Sequence, residues 1–428
     1  MNMISQQRTR SSAARSPHLL ARILLTAFLI IAAAIVAAGN ARAASGDDAI
    51  RRSLAKPLSE AQDRLKEKKY AEALAALSEA DKVTDKSPYE EFVTEQLRAT
   101  AALNLGDLQT AERSYDVMLH STRLSPHDRT AIDGNMTIAF FKAKDYAHAA
   151  TWGKRYRTDA GDDPRIGDVA INAMYLAEDY AGATSALKDE TQAAEKAGQP
   201  VTEDRYKLLA SSQLKAKDEL GYQATLEKLV AHYPSSDYWS DLISRVRRRP
   251  GFADRLSIDV LRLQRAVGVL TAREDYVEYV SEALEAGFPA EAKQVVDQGF
   301  GQRVLGSGAD AARDAKIQSQ ANRQAKEDAQ AGDAVPKGAK GGQALFNTGL
   351  ERVFLGKFAT GIPLMKQGIA DGAIKYPEDA RLRLGMAEAS AGQKGDARQT
   401  LASVAGTDGT SDLARLWLIH LQSDSGGH

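Results

Sequence analysis

Cysteine is absent from the 428-residue chain. That excludes disulfides, thiolate zinc sites, thiol catalysis and lipid attachment through a cysteine near the N-terminus. No H-E-x-x-H stretch occurs, and the seven histidines are scattered. His120, His127 and Asp128 come closest to a cluster, but they straddle a turn, where polar residues are expected anyway. Aromatics make up only 6% of the chain. The glycine-rich stretch from Lys337 to Gly342 lacks the G-x-x-x-x-G-K-[ST] spacing that cradles phosphate, and no strand precedes it. Gly306-Ser307-Gly308 is not a G-x-S-x-G elbow. Acids are plentiful, but no pair stands in an apolar stretch that would raise its pKa. No catalytic residues, cofactor or metal are expected, and the chain does not read as an enzyme.

Charge is nearly balanced at −1 overall. The first 43 residues carry five arginines and no acid, so the remainder is net −6. A mildly acidic body without a basic stripe does not suit nucleic acid. The arginines at 8–22 precede a 16-residue apolar run at 23–38, followed by Ala41-Arg42-Ala43 in the A-x-A pattern of a signal-peptidase site. That run is short for a span, which needs about 20 residues. Residues 1–43 therefore read as a signal peptide, with an uncleaved anchor as the alternative. Either way the rest is exported. The destination is expected to be the periplasm, with membrane contact only through the N-terminal segment if it stays uncleaved.

Alanine is abundant and favours helix. One phrase recurs: a turn residue, an aromatic or aliphatic, and an alanine three positions on. It appears at Tyr70/Ala73, Leu108/Ala111, Tyr146/Ala149 and Tyr180/Ala183, with the alanines 38, 38 and 34 residues apart. Tyr222 takes the same slot further on, then Ala292, Gly361 and Ala397. Prolines at 88, 126, 164, 234 and 377 fall near the repeat ends and read as helix stops.

This pattern resembles the tetratricopeptide repeat (TPR), whose period is about 34 residues. The resemblance covers most of residues 55–405. It implies an all-α fold, a right-handed α-α superhelical solenoid of TPR-like helical hairpins. Each hairpin is too small to bury its own apolar face, so it stacks on its neighbours. The alanine slot is where paired helices cross most closely. The expected organisation is a repeat array over 44–305, with a divergent hairpin at about 238–268. A polar helix and flexible linker follow over 306–341, then C-terminal TPR-like repeats and an end helix over 342–428. The Tyr233-Pro234-Ser235-Ser236-Asp237-Tyr238-Trp239 segment and the arginine-rich hairpin resemble exported proteobacterial periplasmic TPR proteins. Some of those accompany TonB/ExbB-type energy-transducing systems or envelope assembly machines.

The resemblance implies a scaffold that binds a protein or peptide partner. In TPR arrays the first helix of each pair lines the concave face. The register places Asn104, Lys142, Asn172, Tyr175, Ser211 and Lys215 there, and their donors suit an extended peptide. The lysine and asparagine clamp of the family's chaperone-binding members does not match position by position, so no C-terminal carboxylate ligand is implied. A second candidate is the basic run Arg245, Arg247, Arg248 and Arg249. It could grip an acidic partner or lipid head groups, or simply complement a helix C-terminus. The alternative function is an enzyme or small-ligand-binding protein using the divergent 238–340 region. A buried polar cluster there would favour it, whereas an open groove would favour the scaffold.

Overall fold

A computed structural model of the chain describes residues 49–331 and 341–423. The expected signal segment at 1–43 and the core of the expected linker, 332–340, lie outside the described residues. The described residues form twenty α-helices, two short 3-10 turns and no strand. None of these helices is long and apolar enough to cross a membrane. The chain divides into two compact units between Glu190 and Thr191.

The first unit is a stack of helix pairs: α1 (Arg52–Lys66) with α2 (Tyr70–Asp81), α3 (Pro88–Leu105) with α4 (Leu108–Leu119), and α5 (Pro126–Lys142) with α6 (Tyr146–Thr158). The last pair begins with α7 (Pro164–Leu176) and continues into α8 (Tyr180–Lys196). From α1 to α7 each helix packs on the next, and first helices of successive pairs also touch, α1 with α3 and α5 with α7.

The same short device makes the turn inside each pair. One residue adopts the left-handed region: Lys68, Gly106, Lys144 and Glu178, with φ of 59°, 87°, 61° and 62°. The next N–H then reaches back into the finished helix, from Lys69 to the Arg64 carbonyl, Asp107 to Ala102, Asp145 to Phe140 and Asp179 to Met174. This back-bonding satisfies carbonyls that would otherwise be orphaned. The aspartates then cap the second helix: Asp107, Asp145 and Asp179 accept from the backbone of Thr110, His148 and Gly182 at 3.1, 3.2 and 3.1 Å. The recurring sequence phrase is therefore a turn and a cap in succession. The alanines after it, Ala73, Ala111, Ala149 and Ala183, are fully buried.

The prolines act opposite to the sequence expectation. Pro88, Pro126 and Pro164 occupy the first position of α3, α5 and α7, behind caps from Ser87, Ser125 and Asp163. A first-turn N–H has no helical partner to lose, and the fixed φ of proline suits a helix start. Pro377 likewise opens a helix. Of these five only Pro234 lies outside a helix, in the link between α10 and α11 just before the cap residue Ser235.

The second unit holds α9 (Glu203–Lys215), α10 (Glu219–His232), α11 (Ser236–Arg247), α12 (Ser257–Ala266), α13 (Arg273–Glu285), α14 (Pro289–Gly301) and α15 (Ala311–Ala331). It continues with α16 (Gly342–Phe354), α17 (Phe358–Asp371), α18 (Pro377–Ser390), α19 (Lys394–Ala402) and α20 (Thr410–Ser423). Helices α11 and α12 occupy the stretch read as a divergent hairpin. The polar helix α15 is held by Ala321 and Ile317 in an apolar cluster with α13 and α14. Its buried Asp314 accepts from Arg273 at 2.5 Å.

This unit closes on itself. One apolar cluster joins Tyr222 and Leu226 of α10 and Trp239 of α11 to Leu401 of α19 and Leu413 and Trp417 of α20. The Ala253 N–H donates to the Asp408 carbonyl at 2.8 Å. Arg255 bridges Asp379 and Asp408. Phe288, the residue before α14, packs with Phe346 and Leu350 of α16. Described residues on both sides of 332–340 thus share apolar clusters within this unit. Helices α16 and α17 approach backbone to backbone. A Cβ on Gly361 would sit 2.6 Å from the Gly349 carbonyl oxygen, and one on Gly368 would sit 2.5 Å from that of Gly342. Glycine in the alanine slot at 361 thus matches a closer crossing.

Candidate functional site

Four of the expected groove positions lie in the first unit and two in the second. Asn104 and Lys142 are exposed in the last turns of α3 and α5, and Asn172 is exposed on α7. Tyr175 is half-buried and meets Tyr180 edge-on, with ring centres 5.4 Å apart. The two amides each donate to the carbonyl one turn back, Asn104 to Thr100 at 2.8 Å and Asn172 to Asp168 at 2.9 Å. Beside them stand two leucines that sequence reasoning passed over: Leu105 and Leu176, the last residues of α3 and α7, are 49% and 47% exposed. In the second unit Ser211 is half-buried and Lys215 exposed on α9, next to exposed Leu214. An apolar residue at the last position of a helix, next to the turn and outside the packing period, is the signal that marks these leucines.

The arginine run is largely committed to its own unit. Arg245 pairs with Asp241 at 2.9 Å and Glu219 at 2.5 Å and stacks over the Tyr222 ring at 4.2 Å. Arg247 pairs with Glu278 at 2.9 Å. Arg249 pairs with Asp412 at 2.7 Å and donates to the Thr407 carbonyl at 3.0 Å. Arg248 is exposed and donates to the Ser244 carbonyl at 3.2 Å, at the C-terminus of α11, where a cation complements the helix dipole. Three of the four arginines thus bind α11 to other elements of the second unit.

The same unit contains a buried polar network in the divergent region. Arg262 is 5% exposed, and Asp259 and Glu291 are fully buried. Arg262 donates to Asp259 at 2.7 Å and to both oxygens of Glu291 at 2.8 and 2.6 Å. The Tyr279 hydroxyl donates to Glu291 at 2.8 Å. Arg383, from α18, donates to Asp259 at 2.9 Å. The Arg262 guanidinium lies 5.6 and 5.3 Å from the ring centres of Phe288 and Phe354. Burial opposes ionisation of Asp259, but Arg383 and Arg262 outweigh it and hold that carboxyl below its ordinary range. Burial and the Glu291 charge push the Tyr279 hydroxyl well up. Every carboxylate oxygen here faces a guanidinium, a geometry that binds helices together. Nearby, Glu351 accepts from the Ala290 N–H at 2.8 Å, and burial lifts its carboxyl to about 7.

A cleft of about 300 Å³ opens beside this network. Its lining includes Arg262, Arg265 and Arg383 together with Leu350, Phe354 and Trp417. Arg265 donates to the Gln298 side-chain oxygen at 2.7 Å. The Trp417 Nε1 is buried without a hydrogen-bond partner. Among the described residues no three histidine or acidic side chains converge in a metal-binding arrangement.

No known family profile matches the chain, and no curated protein matches it. Among solved structures it is similar to yeast Tom70, at 12% identity and a TM-score of 0.23, with 86% of this chain and 96% of that chain covered. The fold stands instead on the chain's own geometry. It is all-helical, in the TPR-like manner of antiparallel pairs stacked on their sequence neighbours, an architecture suited to holding protein partners.

Proposed function

We propose that the chain is an exported scaffold that holds an extended segment of a partner protein along the first helices of its N-terminal unit. One observation carries this reading. Leu105 and Leu176 are exposed at the ends of α3 and α7, which also expose Asn104 and Asn172, and Lys142 is exposed at the end of α5 between them in the chain. Apolar anchors next to amide and ammonium donors suit a peptide with side chains to bury and carbonyls to satisfy. The 16-residue apolar run and A-x-A site support export to the periplasm. Membership of an envelope assembly or TonB/ExbB-like energy-transducing system belongs to the same proposal and rests on the sequence resemblance alone. The net charge of −6 after residue 43 argues against a nucleic-acid partner.

The test is a paired substitution, Asn172→Ala with Tyr175→Ala, set beside Leu105→Ser with Leu176→Ser. Neither pair removes a fully buried side chain, so helicity and melting should hold. A partner recovered from envelope extracts should be lost from both variants. Retention at full affinity by both would refute the groove.

The alternative reading, an enzyme or small-ligand-binding protein using the divergent 238–340 region, draws support from the buried network there and from the adjoining cleft, which residues 350–417 also line.

A further inference from the structure

The cleft beside the buried network has an uneven inventory of polar groups. Its charged lining is three guanidiniums, which can only donate. Asp259 and Glu291 are the acids that touch these guanidiniums, and between them they answer Arg262 and Arg383. Arg265 is left with a neutral partner, the Gln298 amide. That leaves one positive charge without an anion. The Trp417 indole N–H adds a further donor that nothing accepts, although Trp417 is only 6% exposed. A buried donor with no protein acceptor is suited to an acceptor brought from outside the chain. The apolar part of the lining is Leu350, Val353, Phe354 and Met386. At about 300 Å³ the space would hold about ten waters at liquid density, the lower end of the range for small-molecule sites. Ala266 and Ser390 are exposed and mark the mouth.

We propose that this cleft binds a small organic monocarboxylate, with its carboxylate on Arg265 and its apolar body against Phe354 and Met386. A single uncompensated charge matches a monoanion better than a phosphate dianion. A guanidinium fork fits a planar carboxylate with two parallel hydrogen bonds. The site lies wholly within the second unit and is independent of the groove on the first, so either can fail without the other.

The experiment is calorimetric titration of the purified chain with 4-phenylbutyrate as probe. Its neutral amide and inorganic phosphate serve as the comparison arms. Saturable binding at one site per chain is expected, and the amide should bind at least about tenfold more weakly, the loss that accompanies removal of a charge-assisted hydrogen bond. Arg265→Gln should reproduce that loss for the acid while leaving the amide unchanged. The variant should fold, because Arg265 is half-exposed and its partner is neutral. Ser390→Trp, placed at the exposed mouth, should abolish binding of both by filling the opening. Equal binding of acid and amide, or unchanged binding by Arg265→Gln, would overturn the proposal. Phosphate competing as well as the acid would overturn the carboxylate assignment, and no saturable binding of the probe would overturn the site.

Discussion

Replacing Asp133 by asparagine would remove a carboxyl that the first unit buries at a cost. Asp133 is fully buried on α5, and neither of its oxygens has a hydrogen bond. Burial raises its pKa to about 7, Arg155 at 3.3 Å opposes the shift, and Asp159 adds to it. The unfolded carboxyl titrates near 3.8. Between those values the folded state keeps a proton that the unfolded state has released, so stability falls as pH rises through the window. At about 1.4 kcal/mol per unit, a shift of about three units sets a ceiling of about 4 kcal/mol, reached above pH 7 and absent below pH 4. Asparagine does not titrate. Whatever fixed offset its amide introduces, the stability difference between variant and parent should therefore grow in the variant's favour from pH 4 to pH 8. The assay is urea unfolding followed by Trp152, buried on the neighbouring α6, in a Trp239→Phe, Trp417→Phe background. A difference that stays flat between pH 4 and pH 8 would refute the claim that Asp133 is held protonated.

The glycine crossing predicts that Gly361→Ala destabilises the second unit. Its Cβ would meet a backbone oxygen at 2.6 Å, and overpacking of about 1–3 kcal/mol outweighs the roughly 1 kcal/mol that alanine gains in a helix. A thermal melt should show a lower midpoint, and a raised one would refute the close approach. Ala111→Leu should lower the melting midpoint of the first unit and open residues 90–165 to proteolysis, since Ala111 is fully buried at a crossing. An unaltered melt would show that no close crossing exists there. Intact mass of protein recovered from the periplasm should begin at or near Ala44. Recovery only in membranes, at full length, would establish an uncleaved anchor instead.

The parts of this fold that could be read from sequence are the local ones. The left-handed turn, the aspartate cap and the buried alanine fall within six or seven residues of each other, so they recur as a phrase. The prolines were visible but ambiguous. A residue that cannot continue a helix can equally well begin one, and only the cap before it decides. Closure of the second unit left no such trace. Arg255 finds Asp379, and Arg383 finds Asp259, across 124 positions each. Any of the chain's many acids could have been the partner. For the same reason Arg249 could be read only as one member of a basic run, although its carboxylate, Asp412, lies at the start of α20. The register assigned the proposed groove positions, but it passed over Leu105 and Leu176, because a leucine at the end of a helix is easily taken for core until its exposure is known. The cleft could not be read at all, since its walls come from six helices spread between residues 257 and 423.

The buried network makes the last prediction and shows why closure demands specific residues. Charges this deep are costly to desolvate, and a network repays that cost only when each member is answered. Arg262 answers two carboxylates at once, Asp259 on its own helix and Glu291 on α14, while Arg383 brings α18 to Asp259. Arg262→Met preserves much of the side-chain volume but removes the charge. Asp259 would retain Arg383, and Glu291 would retain only the Tyr279 hydroxyl. An abandoned buried carboxylate of this kind costs about 3–5 kcal/mol. The loss should narrow in acid, where the stranded carboxylate can take up a proton instead of remaining charged. Adding Glu291→Leu to Arg262→Met should recover most of the stability at neutral pH, because an apolar pair replaces an ion pair of similar size. If the double variant is no more stable than Arg262→Met alone in urea unfolding at neutral pH, the cost arises from lost packing against Phe288 and Phe354 rather than from the unanswered charge.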